Sequence, residues 1–375
     1  MDDAGVSDSV PASVLRELAG GGDALSSWWT VAALGLVAVA TAVAAVRRRR
    51  ATRRARTWPL WSTVAATGAL VSLLAVNCVV GYVPNVSAAR TTLSSWGLVP
   101  PPRLSHGVPA ARAAAAGTGA VRAVRVPVDG DLHMPSELTW VYTPPGYDPH
   151  GARRYPVVYL VHGSPGHSGD WFAAGQVGHV MDVLLAHHLV RPMIVVAPDV
   201  NGVGRGGRDT ECLDSSRGGS QVETYLDDVL VPWVDAHYAT HADWRHRTVG
   251  GFSSGAFCAL DQGLRHPDLF GTILAIGPYG DPGSGGRAML GGGAAWAAHA
   301  PSRYLPTVPL PHRMAVFLDS GGRMRTEERR ARTLADLLAA RGQDVETRTE
   351  PGEGHTWRMA RAAVPFALVF ASRHG

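Results

Sequence analysis

The chain has 375 residues, 46% of them apolar and only 18% charged, which excludes a chain disordered throughout. It contains no lysine, so a Walker phosphate loop and a Schiff-base lysine are both excluded. The net charge of +4 includes seven arginines crowded between positions 47 and 56; without those seven the rest carries −3, which is not the composition of a nucleic-acid binder.

In chain order, the first 26 residues hold Asp2, Asp3, Asp8 and Asp23 and read as an extracytoplasmic tail. Two uncharged stretches follow, Ser27 to Val46 and Trp58 to Val83, with Trp28, Trp29, Trp58 and Trp61 at their edges. A bilayer core of ~30 Å needs about 20 helical residues, and indole rings favour the headgroup level. The region 27–83 therefore reads as two transmembrane helices, and the arginine-rich loop 47–57 between them is expected on the cytoplasmic side. Everything after Val83 is then expected outside. Two other readings stay open at this point: buried core helices, and a cleaved export signal over Trp58 to Ala89.

Residues 84–120, rich in Pro, Ala, Gly and Ser, read as a linker, in part helical. From Val121 to Gly375 short apolar runs alternate with helical periodicity. Strands are expected at Val121 to Val128, Glu137 to Tyr142, Tyr155 to His162, Met193 to Ala197, Arg247 to Phe252, Thr272 to Ile276, Arg313 to Leu318 and Val345 to Thr349. Helices are expected from the stripe Val222, Tyr225, Leu226, Val229, Leu230 and Trp233, from Ser254 to about His266, and from about Thr326 to Ala340. This alternation implies a mostly parallel sheet covered on both faces, in one α/β domain. The glycine-rich segment Gly277 to Gly293 is expected to be a surface loop or a lid.

The chemistry centres on Gly251-Phe252-Ser253-Ser254-Gly255. A strand runs into this Gly-x-Ser-x-Gly and a helix leaves it, a turn that lifts the serine hydroxyl above the sheet edge. Ser253 is the candidate nucleophile. A serine needs a base to take its proton, and His355, in a glycine-flanked loop after the last strand, is the candidate. Asp319, ending the seventh strand, is the provisional third member, with Glu327 as the alternative and Glu328 beside it. The backbone of Ser254 and of the loop at Gly163 and Ser164 is expected to supply the oxyanion donors. A rival motif, Gly202-Val203-Gly204-Arg205-Gly206-Gly207, lacks the helix that a dinucleotide pyrophosphate needs. No His-Glu-x-x-His or Cys-x-x-Cys occurs. No cofactor, metal or nucleic-acid partner is expected.

Further segments match in order: Val158-Tyr159-Leu160-Val161-His162-Gly163, Asp170-Trp171, Pro198-Asp199, Glu223-Thr224-Tyr225-Leu226, His266-Pro267-Asp268-Leu269-Phe270 and Gly354-His355-Thr356-Trp357. With Gly251 to Gly255 they make the chain from Val121 onward resemble the esterase family of α/β-hydrolases. That family includes esterase D, feruloyl and enterochelin esterases and mycolyltransferases. The resemblance implies an α/β-hydrolase fold, Ser253 as nucleophile, His355 as base, and Ser254 with the His162-Gly163-Ser164 loop as the oxyanion region. Two positions depart from the pattern: Ala256 where a second glycine is frequent, and Met324 where an acid is frequent, which leaves a Ser-His dyad open as well. Together with the two spans, which lie outside the resemblance, this implies a membrane-anchored extracytoplasmic serine hydrolase of carboxylic esters, as esterase or envelope acyltransferase, with an ester or acyl-lipid substrate. The alternatives are a catalytically silent binding or scaffold module of the same fold and a serine peptidase. Cys212 and Cys258 are open between a disulfide and two buried thiols.

Overall fold

A computed structural model describes residues 9–20, 24–51, 58–95, 98–99 and 117–375. Arg53, Arg54 and Arg56, the acidic residues at 2, 3, 8 and 23, and most of the 84–120 linker lie outside the described residues. The eight expected strands all form: β1 (Ala120–Val124), β2 (Thr139–Thr143), β3 (Val157–Val161), β4 (Ile194–Ala197), β5 (Arg247–Phe252), β6 (Thr272–Ile276), β7 (Ala315–Gly321) and β8 (Asp344–Glu350). They join one sheet in the order β1-β2-β4-β3-β5-β6-β7-β8. β2 runs antiparallel to β1 and β4; every other pairing is parallel.

Every residue of β2 to β7 is buried, as strands covered on both faces require. Alternation sends Val157, Tyr159 and Val161 into one core, with the helix Ser254–Arg265, and Val158 and Leu160 into the other, with the final helix Trp357–His374. Neither that final helix nor Val177–Ala186 was among the sequence expectations. The expected loop at Gly277 to Gly293 is instead partly helical, over Gly283–Leu290, because Gly285, Gly286 and Met289 bury against the segment around Asp209 and Leu213.

Three features at the N-terminal end refine the sequence picture. Helix α1 (Ala12–Ala19) is no free tail: Val10 and Val14 are buried in the core beside Leu184, and Glu17 bonds His187 at 2.8 Å. The two apolar stretches form helices α2 (Trp28–Ala51) and α3 (Trp58–Val80), packed against each other. Both are long and apolar enough to cross a membrane, and their side chains face outward: Trp29 is 86% exposed and Leu36 71%. Helix α4 (Val86–Ser95) occupies part of the expected linker.

Cys212 and Cys258 form a disulfide, and Cys78 is free. The bond ties the irregular 198–221 segment to the helix that follows Ser253. Thiol titration of denatured protein should therefore find one reactive cysteine without reductant and three with it, from the three in the sequence. Three in both conditions would rule the bond out.

Candidate active site

Ser253 sits between β5 and the helix Ser254–Arg265 with φ +61° and ψ −119°, a left-handed conformation costing a non-glycine residue of order 1–3 kcal/mol. The neighbouring glycines make it possible. A Cβ on Gly251 would lie 2.1 Å from the Gly255 carbonyl oxygen, and one on Gly255 would lie 2.1 Å from that of Val161. The Ser253 N–H donates to Ile276 O at 3.0 Å, fixing the turn to β6.

His355 Nε2 lies 2.8 Å from Ser253 Oγ. His355 Nδ1 lies 2.6 Å from Glu327 Oε2, and the other Glu327 oxygen accepts from Gly321 N–H at 3.0 Å. With Nδ1 protonated toward the carboxylate, Nε2 is free to accept from the serine hydroxyl. The ring stacks on Phe252 at 4.8 Å, and Gly277 leaves room beside it: a Cβ there would lie 2.8 Å from His355 Cε1. Gly277 also has φ +71°. Gly277→Ala is expected to displace the imidazole and cost at least tenfold in ester turnover, measured as kcat; an unchanged kcat would show that the ring position tolerates crowding.

The carboxylate on His355 is thus Glu327, and Asp319 is elsewhere. Alternation along β7 sends Val316 and Leu318 to one core and Phe317 to the other, and Asp319 follows Phe317 toward the final helix. Its carboxyl is fully buried, 3.7 Å from Arg348. Burial, followed by the neighbouring Glu350, holds its pKa well above the usual carboxylate range, which disfavours the anion that would orient a histidine. Glu327 comes from the first turn of the helix Arg325–Ala340, at whose N-terminus a carboxylate is favoured.

The expected oxyanion residues converge on the same place. Gly163 and Ser164 line the cleft with Ser253 and His355, and a Cβ on Gly163 would lie 3.2 Å from Ser253 Cβ. Ser254 is the first residue of its helix, where backbone N–H groups are unpaired within the helix. His162 holds the loop: its Nε2 accepts from Val200 N–H at 3.1 Å, leaving Nδ1 to donate to Gly163 O at 2.9 Å.

The other motif residues brace this centre. Glu223 bonds His266 at 2.7 Å, joining the 222–237 helical run to the end of the helix after Ser253. Asp227 completes a cluster of ligand-capable groups with this pair, and His266 Nε2 is already shared between the two carboxylates. Asp170 accepts from His167 N–H at 2.9 Å, and Trp171, fully buried, meets Trp357 edge-on.

Sequence reasoning missed Glu211. It is buried beside a cavity of about 10 Å³, room for one water, shared with Gly163, Ser164 and Ser254. Both Glu211 and Cys212 have positive φ, held by the disulfide and by the Tyr279 hydroxyl 2.8 and 2.7 Å from the two carboxyl oxygens. Burial, then Asp209, pushes the Glu211 pKa from 4.5 up to about 9. Between those values the folded chain keeps a proton that the unfolded chain releases. The resulting stabilisation is complete below pH 4.5 and is lost as pH rises toward 9, with a slope of up to about 1.4 kcal/mol per pH unit. Glu211→Gln removes this titration, so its melting temperature should fall less steeply than the wild type's from pH 5 to 9. Parallel curves would contradict a neutral Glu211.

The sequence matches the family described as "Putative esterase" over residues 134–367. The chain belongs to the esterase family. Among its relatives are an uncharacterized protein of Corynebacterium glutamicum, 30% identical over 149 residues, covering 40% of this chain and 34% of that one, and an esterase of Mycobacterium tuberculosis, 31% identical over 132 residues, covering 35% and 26%. The matches thus span 34% and 26% of the length of these relatives. Among solved structures, a ferulic acid esterase superposes with TM-score 0.57 at 22% identity, covering 69% of this chain and 99% of that one. An S-formylglutathione hydrolase from Agrobacterium tumefaciens does so with TM-score 0.57 at 17% identity, covering 68% and 96%. At such identities these neighbours establish the fold, that of the α/β-hydrolase esterases.

Proposed function

We propose that this esterase-family chain is a membrane-anchored serine hydrolase of carboxylic esters whose active site faces the cell exterior. The observation that carries the chemistry is the continuous bond chain Ser253–His355–Glu327. Ser253 Oγ attacks the ester carbonyl carbon while His355 Nε2 takes its proton. Backbone N–H groups of Ser254 and of the Gly163–Ser164 loop face the developing oxyanion. Glu327 holds the imidazole in the right tautomer and stabilises the imidazolium. His355 then gives the proton to the departing alcohol as the acyl C–O bond breaks, leaving an acyl-Ser253 ester. Water attacks this intermediate in hydrolysis, and a hydroxyl-bearing acceptor does so in acyl transfer. The Glu327 contact to His355 supports the hydrolase reading over a catalytically silent module.

Topology rests on three observations. Arg47 to Arg50 end α2 at the side away from the domain. Helix α1 packs on the domain, so the chain before α2 and the chain after α3 lie on one side, as a two-span hairpin requires. The Cys212–Cys258 bond fits an oxidising compartment. A membrane-impermeant fluorophosphonate added to intact cells is the test. It should label the chain, with Ser253 carrying the adduct. Labelling only after lysis would reverse the topology, and none under either condition would sink the hydrolase reading.

A further inference from the structure

Helix α3 does not simply tether the domain; its outer end is built into the active-site cleft. The last turn leads into Gly81, whose φ of +70° turns the chain back, and a Cβ there would lie 2.2 Å from Arg358 Cγ. Two arginines of the final helix, which begins two residues after His355, grip this end. Arg358 donates to Cys78 O at 3.0 Å, and Arg361 donates to Gly81 O at 2.9 Å and Ala174 O at 2.7 Å. These are carbonyls at a helix C-terminus, the end that favours cations. Asn77 closes the turn, donating to Leu25 O at 2.9 Å and Val83 O at 2.7 Å and accepting from Val83 N–H at 2.8 Å. The Tyr82 hydroxyl donates to Asp170 at 2.7 Å, and its ring meets Trp357 edge-on at 6.5 Å.

The outcome is a cleft of about 430 Å³ in which Val80 and Tyr82 share the lining with Ser253, His355 and Trp357. Val80 is the last residue of α3. Arg47 to Arg50 lie at the opposite end of the hairpin, about 35 Å away for a helix of 23 residues. Trp28 and Trp29, 55% and 86% exposed, begin α2 at the cleft's end, where indoles mark the headgroup level. One wall of the cleft is thus the surface end of a helix whose remaining length is apolar and outward-facing.

Resting on the function proposed above, we infer that Ser253 takes its acyl group from a long-chain lipid ester lying in the outer leaflet, with Val80 and Tyr82 forming the side along which the acyl chain rises out of the bilayer. The bond broken is the acyl C–O of that lipid, the bond formed is acyl C–Oγ of Ser253, and the proton passes through His355 to the lipid's departing hydroxyl. Presentation in the plane of the membrane then matters more than concentration in water, because the scissile ester reaches the nucleophile along the cleft wall without passing through bulk water.

The test uses the full chain in lipid nanodiscs, with a diacylglycerol carrying one pyrene-labelled sixteen-carbon acyl chain as probe and p-nitrophenyl acetate as the water-soluble comparison. Loss of the lipid ester is followed with the probe in the protein's own discs and, at equal total amount, in separate discs. At least a tenfold faster loss in the shared discs is expected. Val80→Asp, which places a charge on the wall, should lower the ratio of lipid-ester to p-nitrophenyl acetate rates at least tenfold. Equal rates in shared and separate discs, from protein that a fluorophosphonate labels at Ser253, would overturn this inference and leave the hydrolase reading standing. An equal fall of both rates in Val80→Asp would show Val80 to be merely structural and would also count against it. Protein that no fluorophosphonate labels would overturn both.

Discussion

Ser253→Ala is expected to remove ester turnover by about 10⁵- to 10⁶-fold, down to the residual that oxyanion donors and binding alone can sustain. The serine occupies a strained turn and its Oγ lies 2.8 Å from His355 Nε2. Alanine keeps the fold, because a Cβ is already accommodated there, but offers no oxygen to acylate. The measurement is steady-state hydrolysis of p-nitrophenyl acetate, with peptide mass spectrometry for a fluorophosphonate adduct. A variant within tenfold of the wild type would place the nucleophile elsewhere.

The second large effect separates two carboxyl groups. Glu327→Gln is expected to lower kcat by about 10³- to 10⁴-fold. The amide of glutamine donates to Nδ1 where the carboxylate accepts, so the imidazole is driven to the tautomer with its proton on Nε2. That nitrogen then cannot take the proton of Ser253, although the side chains still fit. Asp319→Asn is expected to stay within about threefold of the wild type, since the buried acid it replaces faces Arg348 and Glu350 rather than His355, which meets Glu327. The opposite pattern, with Asp319→Asn inactive and Glu327→Gln active, would return the acid role to Asp319.

The ease with which the sheet is read from the chain has a physical origin. Each strand from β2 to β7 is buried on both faces, so its apolar run is dense and bounded, and all eight appear within a few residues of their expected positions. The pairing of Ser253 with His355 was legible because a Gly-x-Ser-x-Gly turn needs small flanking residues and His355 follows the last strand. Which carboxylate meets His355 was not, because the choice turns on which face of β7 a side chain takes and on how a helix swings its first turn back toward His355. Asp319 sits at the strand end where an acid is expected, yet the two-residue period carries it to the wrong side. Trp357–His374 escaped notice because it is buried almost all round and so shows little amphipathic contrast. Glu211 carries no motif, and only the disulfide and the Tyr279 contact reveal its burial. Val80 and Tyr82 read as the tail of a hydrophobic span; that the span ends inside the catalytic cleft is a property of the packing alone.

The order in which the parts of the cleft occur along the chain has a consequence for biogenesis. Val80 and Tyr82 come first, Ser253 follows, Glu327 next, and His355 last, directly ahead of the helix whose arginines clamp the end of α3. A chain threaded outward in sequence would present the serine before its base arrives and would settle the base only when Trp357–His374 seats against the earlier turn. On the proposed topology the hydroxyl would stay inert throughout translocation, and lipids of the proposed kind would be spared until the first and last pieces of the cleft have met.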